Sequence, residues 1–313
     1  MLQLLLGGSG SGKTTLLYQR IRARAEKGEK SILLVPEQFT SSTEGRIYRE
    51  LGDALSGMVE SFSFTSLAEK ILSTEGGAAV QTLSDAGRAV LVRRALEELQ
   101  DNVHYYHRHR RSAAFCQMAA QTIDELKSAG LSGQQLAQLA GACGAESGKL
   151  SELALIFQGY ETLLARSGMD PSDRLELAGA RLEEALARHS LPEFLRDRAV
   201  FIDEFDTFNA PKKRLLGAML AALPSVTVAL CDDGAPLLPG DLSLFSGAKQ
   251  VAAQLRQLAR KNGAEVAVPQ LLRKDLRHRN APGLAAVAEL LETGSCTADA
   301  PAGEVRLFAA PSR

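Results

Sequence analysis

Residues Gly7-Gly8-Ser9-Gly10-Ser11-Gly12-Lys13-Thr14 decide how this chain is read, because they fill G-x-x-x-x-G-K-[ST] at every fixed position. A short apolar run, Leu2 to Leu6, precedes them, and from Thr15 to Lys27 the residues Leu16, Leu17, Arg20, Ile21 and Arg24 fall at helical spacing. The order is strand, glycine loop, helix. Glycines let backbone N–H groups converge on an anion with no side chains in the way, and the new helix adds the partial positive charge of its N-terminus. Gly7, Gly8, Ser9, Gly10, Ser11, Gly12, Lys13, Thr14 and Thr15 are therefore the candidate phosphate-binding residues. Lys13 is expected to reach the β- and γ-phosphates of a nucleotide and the Thr14 hydroxyl to ligate Mg²⁺. The competing reading is a flexible Gly/Ser turn between core elements, and the presence of both flanking elements weighs against it.

With 313 residues and 45% hydrophobic content the chain is long enough for about two packed domains. Lys and Arg number 36 against 37 Asp and Glu, so any nucleic-acid contact has to come from local basic patches rather than a global positive field. Cys116, Cys143, Cys231 and Cys296 lie far apart and form no C-x-x-C pair, which argues against a zinc site or a disulfide framework and for a reducing compartment. Leu2 to Leu6 is too short for a signal segment, and no apolar run approaches the roughly 20 residues a membrane span needs. A cytoplasmic protein without a membrane partner is the expectation.

Strand and helix alternate through the first part of the chain, with apolar runs at Ser31 to Val35 and Met58 to Phe62, a pattern that specifies a parallel sheet with crossover helices. The β-signal then vanishes. One apolar stripe joins Leu153, Ile156, Phe157, Tyr160, Leu163 and Leu164, and a second joins Phe115, Met118, Ala119, Ile123 and Leu126. Ser132 with Gln135 reads as a capping box, and Asp170-Pro171 as an N-cap followed by proline. Strand signals return at Ala199 to Ile202 and Val226 to Leu230, on either side of a helix from Ala210 to Leu223. We expect a sheet domain from 1–80 and 197–270, a helical insertion at 81–196, and a connector at 271–313 carrying a helix near Leu284 to Leu291 and a β-like Val305 to Phe308. So late a strand suggests the front part of something longer.

A glycine loop of this kind needs a carboxylate at the end of a nearby strand to hold the magnesium water shell. Asp203, directly after Val200-Phe201-Ile202, is the candidate, and Glu204 beside it is placed to act as general base on an attacking water. The plainer reading is an acidic strand-end turn. Asp232 and Asp233 end the next strand and are equally able to sense phosphates or to form a turn. At Phe62-Ser63-Phe64-Thr65 hydroxyls and aromatic faces suit phosphate oxygens and stacked bases, against a helix cap with core phenylalanines. His104 to Arg111 offers Arg108, Arg110 and Arg111 to a phosphate backbone or simply forms a solvated helix end; a zinc site from its histidines lacks partner ligands. Arg273 to Arg279 reads as a solvated connector.

This succession of glycine loop, Leu33-Leu34-Val35-Pro36-Glu37-Gln38, Ser61-Phe62-Ser63-Phe64-Thr65-Ser66, helical insertion and Ile202-Asp203-Glu204-Phe205 resembles the first motor-like domain of superfamily 1 helicases. More narrowly it resembles the AddB-type component of the bacterial AddAB helicase/deoxyribonuclease over nearly the whole chain. The resemblance implies an α/β fold: a RecA-like P-loop NTPase domain (1A) with a parallel sheet and an inserted all-helical 1B-like domain. It also implies ATP and Mg²⁺ as cofactors, single-stranded DNA contact with Gln38 in that role, an AddA-type motor/nuclease as heterodimer partner, and double-strand break repair. Family members also carry a nuclease domain with a 4Fe-4S cluster, whose cysteines are not in this sequence.

Two departures stand out. Such helicases place a γ-phosphate-sensing glutamine after the aspartate that here is Asp232, yet the sequence runs Asp233-Gly234-Ala235-Pro236. The chain opens at Met1-Leu2-Gln3, so a preference for ATP over GTP is not expected to be written in it. Nucleotide binding with slow or absent turnover follows. The alternatives are a stand-alone P-loop kinase, with the helical insertion as acceptor site and lid, and a nucleotide-gated interaction module.

Overall fold

The computed structural model describes residues 1–77, 79, 81–144 and 147–295. Cys296 and the β-like run at 305–308 lie outside the described residues. Backbone contacts divide the chain into two compact units.

The first unit, Met1–Phe64 with Glu193–Phe208 and the chain from Met219 onward, is built on a six-stranded, all-parallel sheet. Its strands are β1 (Leu2–Gly7), β2 (Ser31–Leu34), β3 (Val59–Phe62), β4 (Ala199–Ile202), β5 (Ser225–Cys231) and β6 (Gln270–Leu272), in the order β3-β2-β4-β5-β1-β6. Near-continuous apolar runs form β1, β2, β4 and β5 because a parallel sheet is covered on both faces, and these strands are almost wholly buried. The helices are α1 (Lys13–Ala25), α2 (Thr40–Leu51), α3 (Asp53–Ser56), and, after the second unit's helices, α11 (Ser246–Lys261) and α12 (Pro282–Thr293). Leu17, Tyr18 and Ile21 of α1 pack with Leu5, Leu33, Ile47 and Phe201 in one core cluster. β5 lies between β1 and β4, so the acidic turn after β4 is two strands from the glycine loop rather than on its immediate neighbour.

The second unit, Thr65–Pro192 with Asn209–Ala218, is helical. It holds α4 (Phe64–Glu75), α5 (Asp85–Glu98), α6 (Ala113–Ser128), α7 (Gly133–Ala140), α8 (Ser147–Ser167), α9 (Pro171–Ala187) and the start of α10 (Ala210–Ala222). The helical unit thus begins before residue 81, because α4 is tied to α9 by the Glu69–Arg174 ion pair. Likewise Arg214 of α10 pairs with Glu176 and Glu183.

The α8 stripe is buried as its period requires, and Ser132 with Gln135 forms the expected capping box. In α6, by contrast, Met118 is exposed. The inner face there is Cys116, Ala119, Ala120 and Ile123, spaced i, i+3, i+4, i+7. Asp170 sits at the N-cap of α9 but caps nothing with its side chain; its buried carboxylate accepts from Lys127 Nζ at 2.7 Å and from the Tyr160 hydroxyl at 2.5 Å. Glu152 is buried as well, and accepts the backbone N–H groups of His104, Tyr105 and Tyr106. That carboxylate organises the turn leading into His107–His109, where Arg108 and Arg111 are exposed and Arg110 is half-buried.

Candidate functional site

The glycine loop closes between β1 and α1. Gly12 is the N-cap of α1 in the left-handed region, φ 90°, and no side chain caps the helix, so the first N–H groups stay turned toward the loop's concavity. Gly7 leaves no room for a Cβ, which would collide with Ser11 Oγ and the Leu272 carbonyl. Lys13 Nζ folds over the loop and donates to the carbonyls of Gly7 and Gly8, each at 2.8 Å, with Cys231 Sγ 3.4 Å away.

Across the sheet, the Asp203 N–H donates to the Leu34 carbonyl at 3.1 Å, which fixes the end of β4 against β2. Asp203 is buried, and it lines the same cavity as the Thr14 hydroxyl. Its Oδ1 accepts the Glu204 N–H at 3.1 Å. Glu204 holds φ 66°, a left-handed conformation that is costly for a residue with a side chain. Burial raises the Asp203 carboxyl above its ordinary range, while Thr14, the Glu204 N–H, Lys13 and Arg46 pull it back. Glu204 is raised too, by burial and then by the Asp203 charge.

These groups surround one cavity of about 590 Å³ in the sheet unit, whose wall includes Gly10, Gly12, Lys13, Thr14, Thr15, Gln38, Arg46, Asp203, Glu204 and Arg277. The lysine, the hydroxyl and both carboxylates singled out in the sequence thus come together. A threonine hydroxyl and a carboxylate on one cavity wall are hard oxygen donors, which suit Mg²⁺, an ion that keeps several of its waters. Among the described residues no cluster of histidine, cysteine and carboxylate ligands suits a softer metal.

Gln38, expected as a DNA contact, lies on this cavity wall, in the turn Glu37–Phe39. Phe64 corrects the sequence reading. Its ring is buried edge-on against Phe205 at 5.2 Å and Phe208 at 6.1 Å, so no face is open to a base. Ser63 is buried, Phe62 half-buried, and Thr65 exposed. Asp232 forms a turn, its Oδ1 accepting the Gly234 N–H at 2.7 Å, while Asp233 pairs with Lys249 at 3.2 Å. Asp232 lines a second cavity, with Gly7, Gly8 and Ser9 of the loop.

The segment after β6 was not legible as part of the site. Arg273 to Arg279 is exposed apart from a half-buried His278, yet it is bonded to the loop: the Leu276 N–H donates to the Gly10 carbonyl at 3.0 Å and Arg277 Nη1 to Ser9 Oγ at 3.0 Å. Arg277 thereby joins Lys13 and Arg46 as a third cation on the wall of the cavity. The alternation of basic and apolar residues there carries no spacing that would have announced it.

The fold and site define a parallel-sheet α/β protein, consistent with a RecA-like core, whose glycine loop and strand-end carboxylates converge on one cavity. The model of the family described as ADDB, N-terminal, matches residues 4–288, and the chain belongs to that family. It is 34% identical over 325 residues to the B-type subunit of an ATP-dependent helicase/deoxyribonuclease from Desulforudis audaxviator, covering 100% of this chain and 27% of that protein. A protein of the same name from Moorella thermoacetica is 33% identical over 299 residues, 91% of this chain and 25% of its own. One from Clostridium perfringens is 29% identical over 283 residues, 89% of this chain and 24% of its own. The chain thus spans about a quarter of the length of these curated relatives. The kinase-like alternative finds no support among them. Among the described residues no helix is long and apolar enough to cross a membrane.

Proposed function

We propose that this chain is the nucleotide-binding, helicase-like part of a cytoplasmic DNA-processing protein, with a RecA-like 1A core and a 1B-like helical insertion. It acts with a motor/nuclease partner in double-strand break repair by homologous recombination. The names of the relatives support the DNA-processing role and, because each is named as one subunit of an enzyme, the partner. The observation that carries the nucleotide role is the convergence of the Lys13 ammonium, the Thr14 hydroxyl and the Asp203 and Glu204 carboxylates on one cavity.

In this reading Lys13 exchanges its two loop carbonyls for β- and γ-phosphate oxygens, and the uncapped N–H groups of α1 neutralise the α- and β-phosphates. Thr14 and Asp203 hold Mg²⁺, which when bound offsets phosphate charge. Glu204 accepts the proton of an attacking water; burial and the Asp203 charge hold its carboxyl above the ordinary range, against the pull of Arg46, Lys13 and Arg277. Turnover is slow, because the end of β5 presents Asp232 tied in a turn rather than an amide that would orient the γ-phosphate. DNA contact falls to Gln38, Phe62, Thr65, Arg108, Arg110 and Arg111. No nuclease or iron–sulfur role is assigned to residues of this chain.

Titration of the protein with Mg·ATP tests the nucleotide role. Lys13→Ala removes a charge-assisted contact of roughly 1.5–3 kcal/mol, so affinity is expected to fall about ten- to a hundredfold. Equal affinity in variant and parent overturns the assignment. Salt-sensitive binding of a single-stranded oligonucleotide, whose phosphate contacts release counterions, tests the DNA role.

A further inference from the structure

Arg46 is a cation of the cavity that no motif singled out. It projects from α2, and its guanidinium carbon stands 4.9 Å from the centroid of the Tyr18 ring. Tyr18 is buried in the core of the sheet unit, so the ring under the guanidinium is itself fixed. Neighbouring arginines spend their donors on carbonyls: Arg49 Nε donates to Gly45 and Arg22 to Glu50. Arg46 does not. Among the described residues it makes no ion pair and donates no hydrogen bond, although it is only half-exposed and shares a cavity wall with Lys13, Thr14, Asp203 and Glu204. A guanidinium held over an aromatic face by its charge spends no N–H donor on it, and those donors match phosphate oxygens in a bidentate fork.

The end of β5 offers no such contact. Asp232 is closed into a turn by the Gly234 N–H, and Asp233 is held by Lys249. Both are anions, which repel a terminal phosphate. Lys13 serves the β- and γ-phosphates together and Arg277 donates to Ser9 Oγ, so the cavity cation with no hydrogen-bond partner is Arg46, supplied by α2.

We propose that Arg46 is the γ-phosphate contact of this site, a specificity-determining residue through which α2 distinguishes nucleoside triphosphate from diphosphate. The proposal rests on the nucleotide reading of the glycine loop. In the triphosphate complex the guanidinium stays on Tyr18 and turns its donor edge to a terminal phosphate oxygen. The diphosphate leaves it with Asp203 and Glu204 as its nearest counter-charges. That Arg46 is among the charges drawing both carboxyls down, against the burial that raises them, accords with its facing this side of the cavity.

The test compares Mg·AMP-PNP with Mg·ADP, by titration calorimetry, in the parent protein, Arg46→Ala, Arg46→Gln and Lys13→Ala. Loss of a charge-assisted phosphate contact predicts about a tenfold or greater fall in AMP-PNP affinity for both Arg46 variants, with ADP affinity within about twofold of the parent. Lys13→Ala is expected to weaken both nucleotides. Equal loss for the two nucleotides at Arg46 overturns the proposal and reduces the residue to a prop for Tyr18; so does no loss. Should Arg46→Ala fail to fold, Arg46→Gln, which keeps a flat amide over the ring without the charge, carries the same comparison. If the parent protein binds neither nucleotide, the nucleotide reading itself falls and takes the proposal with it. If the parent and Lys13→Ala behave as expected and Arg46 is silent, only the proposal falls.

Discussion

Thr14, on the first turn of α1, and Asp203, the residue after β4, line the same cavity, although a whole strand separates β4 from the strand that leads into α1. The convergence is possible because all strands of the sheet run parallel, so the C-terminal ends of β1, β5 and β4 open on the same edge. A buried carboxylate in that position is stabilised by one hydroxyl, one N–H and distant cations, and destabilised by lost water.

Asp203→Asn is therefore expected to raise thermal stability at neutral pH while weakening Mg-dependent nucleotide binding. The native state holds the Asp203 proton to higher pH than the unfolded chain does, so it binds more protons in the window just above the ordinary carboxylate range. Stability contributed by this group is complete below that range and declines as pH rises through the raised native value. Melting curves against pH check this: the parent should lose stability across that window more steeply than the variant, and an identical slope would refute it.

Glu204 combines a left-handed backbone with the general-base role assigned to it. Glu204→Gly should relieve strain and stabilise the protein by about 1 kcal/mol, while Glu204→Gln leaves the backbone as it is. Both are expected to bind nucleotide and to abolish residual hydrolysis, as measured by phosphate release. Undiminished hydrolysis in Glu204→Gln would make the residue a bystander.

Gly10 meets two constraints together: φ is 78°, and an added Cβ would lie 2.6 Å from Arg277 Cβ. Gly10→Ala should cost about 1–3 kcal/mol and push the Leu276–Arg277 segment off the loop. Amide hydrogen exchange at Leu276, whose N–H is bonded to the Gly10 carbonyl, reports the displacement directly.

In the helical unit, Glu152→Ala strands three backbone N–H groups that its carboxylate gathers at 2.7–3.3 Å. A destabilisation of about 2–4 kcal/mol is expected by denaturant titration, with Glu152→Gln intermediate because an amide oxygen still accepts.

Sequence carried the sheet well. Ala199–Ile202 coincides with its expected strand and Ser31–Leu34 differs by one residue, since buried parallel strands are apolar throughout and bounded by polar turns. The glycine loop and Asp203 were legible because each needs a particular residue type at a fixed place. What escaped was set by partners remote in sequence. β6 is three half-buried residues with no period, recognisable only through its pairing with Leu5, Leu6 and Gly7. Phe64 looked like a stacking platform until Phe205 and Phe208 enclosed it. Arg46 and Arg277 belong to no pattern, and their position beside Lys13 follows only from the folded chain.

The hydrogen bond from the Leu276 N–H to the Gly10 carbonyl lies between β6 and α12 along the chain. Any rotation or pull on α12 is consequently delivered, through a short run of backbone, to the bend that ends in Lys13. The bond ties the exit from the sheet to the glycine loop, so the chain leaving β6 and the peptide groups that would face a phosphate share one backbone anchor.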